Sequence, residues 1–234
     1  PEARALYSGV LRRAPDDAEA LLGLARVEEF ESKGNPLETA RKSANANPRF
    51  ASARAFIARL HLDAEAFDSA RVTARSAVAL DSALLDAWSV LGAVAWLTGD
   101  SASYREAQAV ARRLQPGGAE FDVFLAEAAV RQRRYAEAVR LAGEAVRRDS
   151  LSVAALGVLG TNQLRLGDFA AGRAALERAF ALDPYNVWHK NTLDLLDKMR
   201  GFRTVERGRF RITAPEKEAE LLVLYIAPLL ERAY

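Results

Sequence analysis

Residues 85–116 read LDAWSVLGAVAWLTGDSASYREAQAVARRLQP, and this stretch decides the fold. It has two segments rich in apolar and small residues, separated by Gly99-Asp100 and closed by Pro116. Gly is the usual left-handed end of a helix, and an Asp directly after it is a start signal for the next helix. The stretch therefore predicts a pair of helices joined by a tight turn.

The residue that closes this stretch, Pro116, has counterparts along the chain at a nearly constant interval. These closing residues are 33, 34, 34, 34 and 34 positions apart, and they are Pro15, Pro48, Ser82, Pro116, Ser150 and Pro184. One helix pair cannot bury its apolar face alone, whereas stacked pairs bury a continuous core. The period predicts an all-α solenoid of about five repeats after an initial half repeat, at about residues 18–50, 51–84, 85–118, 119–152 and 153–186.

The spacing inside the helix pairs resembles that of the tetratricopeptide repeat. In the third pair, Trp88, Leu91 and Gly92 hold the opening positions of that repeat and Pro116 closes it, and the fifth pair opens in the same way at Leu156. The resemblance covers about residues 1–200. It implies a right-handed superhelix in which the first helix of each repeat lines a concave groove.

In that family, positions 2, 5, 6, 9, 12 and 13 of each repeat point into the groove. The residues that we assign to the groove on this basis are Arg26, Phe30, Phe56, Arg59, Leu62, Val90, Trp96, Phe124, Glu127, Val130, Arg131, Leu164 and Arg165. Aromatic residues and Arg are the usual anchors of protein interfaces. We therefore expect a protein or peptide segment with apolar and acidic groups, or an adjacent domain of the same protein, in this groove. The alternative is that the aromatic residues pack as ordinary core.

Composition and motifs limit the other functional classes. The chain has 33 Lys and Arg against 31 Asp and Glu, so its net charge of +2 gives no reason to expect a polyanionic partner. It has no cysteine and only two histidines, His61 and His189, which cannot form the His-Glu-x-x-His motif of a zinc peptidase. We expect no catalytic residue, metal or cofactor in this chain, and no nucleic acid or membrane as partner. Because the chain begins at Pro1 without Met, we expect any targeting segment to lie outside it.

The pattern changes after Pro184. Residues 186–200 predict a capping helix whose inward residues are Trp188, Leu193, Leu196 and Met199, and Gly201 ends it. Residues 202–206 and 209–213 are β-prone runs around Arg207-Gly208, which predicts a hairpin. Residues 215–234 predict an apolar helix that Pro228 kinks. We expect two parts, a solenoid with its cap at residues 1–200 and a tail at residues 201–234.

The tail resembles the opening of gluzincin-type zinc metallopeptidase domains of the peptidase-MA kind, which follow tetratricopeptide repeats in some bacterial proteins. The matching residues are Phe210-Arg-Ile, Glu218, Tyr225 and Leu229-Leu-Glu-Arg-Ala-Tyr234. The resemblance implies a truncated second domain whose catalytic part lies beyond residue 234, with the solenoid as its recruiting arm.

Two further expectations concern this tail. One hairpin is too small to cover all the leucines of the last helix. We therefore expect this helix to pack on the solenoid or on another chain, such as a second copy of this protein. The tail also carries Arg200, Arg203, Arg207, Arg209 and Arg211, which leaves nucleic-acid binding as an alternative function.

Overall fold

The computed structural model describes residues 2–234, which form thirteen α-helices and two β-strands. The helices of the first part are α1 (Glu2–Leu11), α2 (Ala18–Glu31), α3 (Pro36–Ala46), α4 (Ala51–Asp63), α5 (Phe67–Leu80), α6 (Leu85–Thr98), α7 (Ser101–Leu114), α8 (Glu120–Arg131), α9 (Tyr135–Arg148), α10 (Val153–Arg165), α11 (Phe169–Leu182) and α12 (Val187–Met199). The strands β1 (Phe202–Arg207) and β2 (Phe210–Pro215) and the helix α13 (Ala219–Ala233) follow.

The helices stack in pairs, as the 34-residue period predicts. Each even-numbered helix from α2 to α10 packs on the odd-numbered helix that follows it, and α1 packs on α2 as a half repeat. The first helices of successive pairs also contact one another, α4 with α6, α6 with α8, and α8 with α10. The prediction of an all-α solenoid of five repeats is confirmed.

Glycines allow the closest approaches between helices. A Cβ atom added to Gly160 of α10 would lie 2.8 Å from the carbonyl oxygen of Gly172 in α11, so these two backbones are in direct contact. A Cβ atom on Gly92 of α6 would lie 2.6 Å from the ring of Phe121. A side chain at either position would therefore have to displace a buried neighbour.

The turns inside the pairs follow two patterns. Gly99 ends α6 in the left-handed region at a φ of 76°, and Asp100 caps the start of α7 by accepting a hydrogen bond from the Ser103 amide. In the second and fourth pairs the left-handed residue is Glu65 or Arg133, with φ of 58° and 56°. A side chain in this conformation costs roughly 1–2 kcal/mol, so these two turns carry strain that glycine avoids.

A buried ion cluster joins the third pair to the fourth. Asp122 of α8 is fully buried, and both of its carboxylate oxygens accept hydrogen bonds from Arg112 Nη2 at 2.6 Å. Arg148 Nε, at the end of α9, lies 3.4 Å from Asp122 Oδ2. Two arginines from two different helices therefore balance the charge of this carboxylate.

The capping helix α12 covers the last pair only in part. Its described residues include none that is fully buried, and Leu193, Leu196 and Met199 are half-buried. The prediction that Trp188 faces inward is wrong, because this side chain is 80% exposed. His189 points inward instead, since Gly157 of α10 leaves room for its imidazole.

Residues 202–233 form a hairpin–helix unit. The strands are antiparallel with Val205 opposite Ile212, and α13 packs Val223 and Ala227 onto this face of the hairpin. The opposite face of the hairpin is polar, and there Thr204 lies opposite Thr213 and shares a hydrogen bond with its hydroxyl group. The predicted hairpin and final helix are confirmed.

The other side of α13 is bare. Leu221, Leu224, Tyr225 and Leu229 are 54–68% exposed, and the main neighbours of this helix are β1 and β2. The expected packing of α13 on the solenoid is therefore not seen, and packing on another chain stays a prediction. Among residues 2–234, no helix is both long enough and apolar enough to cross a lipid bilayer.

Candidate functional site

The first helices of the repeats enclose a continuous groove made of three pockets. We call them the N-terminal pocket (about 280 Å³), the central pocket (about 480 Å³) and the C-terminal pocket (about 730 Å³). Asp86 and Phe124 line both the N-terminal and the central pocket, while Glu127 lines both the central and the C-terminal pocket. The three pockets therefore adjoin one another along the inner side of the solenoid.

The N-terminal pocket has an aromatic floor and cationic walls. Phe56 of α4 lies at its base, with the Arg59 guanidinium 4.8 Å and the Arg26 guanidinium 5.9 Å from the ring centroid. Phe124 reaches the same pocket from α8, two repeats further along the chain. Helices α2, α4, α6 and α8 thus surround one pocket, which shows that the solenoid is tightly curved here.

An ion-pair ladder runs along one wall of this pocket. Arg59 of α4 donates hydrogen bonds to both carboxylate oxygens of Glu29 in α2, and the bond from Nη1 measures 2.7 Å. The same Nη1 lies 3.2 Å from Asp63 Oδ2. Burial raises the pKa of the Asp63 carboxyl group, although the positive charges of Arg131 and Arg59 oppose this shift. Arg59 is therefore held in place by two carboxylates and is not free to swing toward a ligand.

The ladder continues across the groove to the fourth repeat. Arg131 Nε of α8 lies 3.0 Å from Asp63 Oδ1, without the geometry of a hydrogen bond. The next residue, Gln132, donates from Nε2 to Glu65 Oε1 at 3.0 Å. We call these two contacts the clasp. The clasp joins the second repeat directly to the fourth. It therefore closes one edge of the groove next to the third repeat.

The central pocket is acidic. Its ionisable lining consists of Asp86, Glu120, Glu127 and Asp149, and in the part of the chain that the structure describes no Lys, Arg or His lines it. Its walls also contain the apolar side chains of Leu85, Val123, Phe124 and Val153. Burial raises the pKa of the Glu127 carboxyl group, against the opposing charges of Arg131 and Arg59.

The C-terminal pocket has the largest volume of the three and is lined by an exposed indole and by an arginine that a hydrogen bond holds in place. Trp188 of α12 forms one side, and Arg165 of α10 forms another. Arg165 donates to Asn162 Oδ1 at 2.9 Å, and its guanidinium lies 5.2 Å from the ring centroid of Tyr135. His189 Nδ1 is buried without a hydrogen bond, and burial lowers the pKa of this imidazole.

The structure brings most of the predicted groove residues to these pockets. Arg26, Phe56, Arg59, Val90 and Phe124 line the N-terminal pocket, and Glu127, Val130, Arg131 and Arg165 line the C-terminal pocket. Their role in binding stays a prediction.

Four predicted residues lie elsewhere. Leu62 is buried in the core, and Trp96 packs beside the same core under the Arg134 guanidinium at 4.4 Å. Leu164 packs against Gly172 of the neighbouring helix, and Phe30 is 89% exposed outside the three pockets.

The prediction missed other residues that line the pockets, the following five among them. Asp86 and Glu120 stand at position 2 of their repeats, so the spacing rule already pointed to them. Asp149 caps the end of α9 and carries no such signal. Trp188 and His189 were missed because the capping helix lies outside the repeat pattern.

Four of the five arginines of the tail pair with carboxylates, and Arg207 forms no ion pair among the described residues. Arg203 pairs with Glu220, Arg209 with Glu231 and Arg211 with Glu206, at 3.0–3.3 Å. This pairing weakens the alternative of nucleic-acid binding, because phosphate recognition needs uncompensated positive charge. Among residues 2–234, no three His, Cys, Asp or Glu side chains are placed to hold a metal ion.

Comparison with known proteins supports the fold. The family model for the tetratricopeptide repeat matches residues 1–31 and 124–187. A tetratricopeptide repeat protein from Parabacteroides merdae is 13% identical over 83% of this chain and 76% of its own, with a TM-score of 0.60. The thermophilic repeat protein TTC0263 of Thermus thermophilus is 15% identical over 76% of this chain and 97% of its own, with a TM-score of 0.56. Yeast Tom70 is 16% identical over 84% of this chain and 50% of its own, with a TM-score of 0.51.

No curated protein matches the chain. The structural likenesses show that this chain has the fold of a tetratricopeptide-repeat solenoid.

Proposed function

We propose that the solenoid is a protein-interaction arm whose groove binds an extended segment of a partner protein. The observation that carries this proposal is the continuity of the three pockets along the inner helices. An extended chain has side chains at regular intervals, and successive pockets can accept them in turn.

The side chains of the groove favour this use. Trp188 is 80% exposed at the C-terminal pocket, and Trp is among the residues enriched at the hot spots of protein interfaces. Arg26 and Arg165 each lie beside an aromatic ring, and within the described chain neither has a carboxylate partner. Both ends of the groove therefore offer an apolar surface beside an available cation, which suits a segment with apolar and acidic side chains.

Selection from a library of short random peptides tests this proposal. We expect the purified chain to retain a set of related peptides, and Trp188→Ala to bind them about tenfold more weakly. Tyr185→Ala is the matched control, because Tyr185 is 92% exposed and lies outside the three pockets. Failure of the wild-type chain to retain any peptide, or equal losses in both variants, would contradict binding in the groove.

We also propose that residues 201–234 belong to a second domain, of the zinc-peptidase kind that the tail resembles, and that the solenoid recruits proteins to it. The bare side of α13 supports this, because a helix that is apolar all round is normally covered on both sides. The hairpin–helix unit also keeps most of its contacts to itself.

The coding sequence of the parent protein tests this second proposal. We expect a His-Glu-x-x-His motif after Tyr234, and zinc in the purified full-length protein. The chain of 234 residues serves as the control and should bind no stoichiometric zinc. A full-length protein without the motif and without zinc would remove the peptidase part of this proposal.

A further inference from the structure

The central pocket differs from the two pockets beside it in the sign of its charge. The N-terminal and C-terminal pockets are each lined by arginines, whereas Asp86, Glu120, Glu127 and Asp149 supply all the ionisable lining between them among the described residues. None of these four carboxylates forms an ion pair within residues 2–234. No carboxylate of this pocket is therefore neutralised by a direct ion pair in the described chain, and Arg131 and Arg59 act on Glu127 only from a distance.

Two arginines of the neighbouring pockets are held by other carboxylates and do not reach into the central pocket. Arg59, the nearest arginine on the N-terminal side, is held by Glu29 and Asp63. Arg131, on the C-terminal side, pairs with Asp63 in the clasp. Because these pairs are partly buried and Arg59 is fixed by two carboxylates, moving either arginine would leave a buried charge without its partner.

Glu127 is half-buried, and Arg131 and Arg59 act on its charge without forming an ion pair with it. Its carboxyl group lies between the central and C-terminal pockets, and burial raises its pKa. A carboxylate that is partly removed from water gains most from a cation that approaches through the open side of the pocket. Asp86 stands at the opposite boundary, where the central pocket meets the N-terminal pocket.

The walls of the pocket fit the uncharged part of a basic side chain. Leu85, Val123 and Val153 lie among the carboxylates, and Phe124 adds an aromatic surface. Lys and Arg bury their methylene stems against apolar surface while their charged ends reach polar groups, and an aromatic face attracts either cation. The pocket thus combines the two surfaces that such a side chain needs.

We propose that the central pocket binds a Lys or Arg side chain of the partner segment, with Glu127 as its main ion-pair partner and Asp86 as the second. This inference rests on the proposed function, since it names the partner residue that the middle of the groove selects. The segment that fits the whole groove carries one basic residue between apolar and acidic ones.

The peptide selection described above tests this inference when it is repeated with charge variants. The variants are Glu127→Gln and Asp86→Asn, and the control is Glu106→Gln, an exposed residue of the outer helix α7. We expect wild type and control to select peptides that share one Lys or Arg. Replacing a shared Arg by citrulline keeps the shape and removes the charge.

The expected result is a coupled loss. Citrulline should weaken binding to the wild type by about tenfold, but binding to Glu127→Gln by less than about twofold, because the partner charge is already gone there. Glu127→Gln is nearly isosteric and removes a partly buried charge, so it should fold, and Asp86→Asn provides a second variant at an exposed site.

Two outcomes would overturn the inference, and they differ in what they leave standing. One outcome is that the selected peptides depend on Trp188 but share no basic residue, or that citrulline weakens binding equally to the wild type and to Glu127→Gln. This outcome would refute the basic-residue pocket and leave the groove proposal intact. A wild-type chain that retains no peptide would refute both.

Discussion

The solenoid and the hairpin–helix unit bury their apolar residues in different ways. In the solenoid, Leu125, Leu141, Leu156 and Leu176 have no exposed surface, because each helix is flanked by its own partner and by the next repeat. In the hairpin–helix unit, α13 has neighbours on one side only, and four large apolar side chains remain mostly exposed. Stacking therefore covers the apolar side chains of the solenoid from two directions, whereas the hairpin–helix unit leaves one side of α13 uncovered.

The same difference explains where each part tolerates local strain. Glu65 and Arg133 hold a left-handed conformation inside the stack, where the packed helices on either side fix the turn. The positive φ of the hairpin–helix unit falls on Gly208, in the hairpin turn, where no side chain opposes it. A stacked repeat can keep an unfavourable turn that an isolated hairpin would lose.

The strongest test of the stacked part is Asp122→Ala. This change leaves Arg112 and Arg148 without their shared carboxylate, and we expect a loss of about 3 kcal/mol in the free energy of unfolding. Urea denaturation followed by circular dichroism measures it. Glu144→Ala breaks an exposed pair with Arg140 and should cost less than about 1 kcal/mol. Equal costs would show that the buried cluster does not tie the repeats together.

The next test addresses the backbone contact between α10 and α11. Gly160→Ala places a methyl group 2.8 Å from the Gly172 carbonyl oxygen, and we expect a loss of about 1–3 kcal/mol. Gly143→Ala is the control, because its nearest neighbour is the flexible end of Arg147 at 3.7 Å. This control should gain about 0.5–1 kcal/mol, since alanine suits a helix interior better than glycine. A Gly160→Ala variant as stable as the control would argue against direct backbone contact.

Two neighbouring positions of α13 test the one-sided packing of the hairpin–helix unit. Val223→Ala removes a buried methyl pair and should destabilise the unit by about 1–2 kcal/mol, whereas Leu224→Ala should change it by less than about 0.5 kcal/mol. Amide hydrogen exchange in β1 and β2 reports the opening of this unit separately from the solenoid. If Val223→Ala also exposes amides of α10, the two parts fold as one. If Leu224→Ala is as damaging, the bare side of α13 is covered in solution.

The smallest expected effect concerns the strained turns of the stack. Arg133→Gly removes the left-handed side chain, and we expect a gain of about 0.5 kcal/mol after the entropy cost of glycine. Arg113→Gly in the helical region of α7 should instead lose about 1 kcal/mol. Thermal unfolding of the two variants measures the difference. A loss in both would show that the turn is not strained.

The sequence predicted the features that depend on local spacing. The period predicted the helix pairs, and Gly99 marked the turn between α6 and α7, where it adopts a positive φ. Glu65 and Arg133 adopt the same conformation without a glycine signal, because the stack and not the residue type imposes it. The orientation of Trp188 was predicted wrongly because the contact of α12 with the last pair is set by the space at Gly157, in the first helix of that pair.

The candidate site was predictable only where the repeat rule applied. Phe56, Phe124 and Glu127 follow from their positions, but the acidic character of the central pocket requires residues from two helices and a helix end to converge. Convergence depends on the curvature of the stack. Curvature arises from packing between whole helices, and no short sequence pattern encodes it.

The clasp has a mechanical consequence. A stack of helix pairs is elastic, because each pair contacts only its neighbours and can rotate slightly against them. The contacts of Arg131 with Asp63 and of Gln132 with Glu65 skip one repeat, so they fix the distance across the third pair. We therefore expect tension or twist to be taken up outside the second to fourth repeats, while the N-terminal pocket, with walls on α4 and α8, keeps its width.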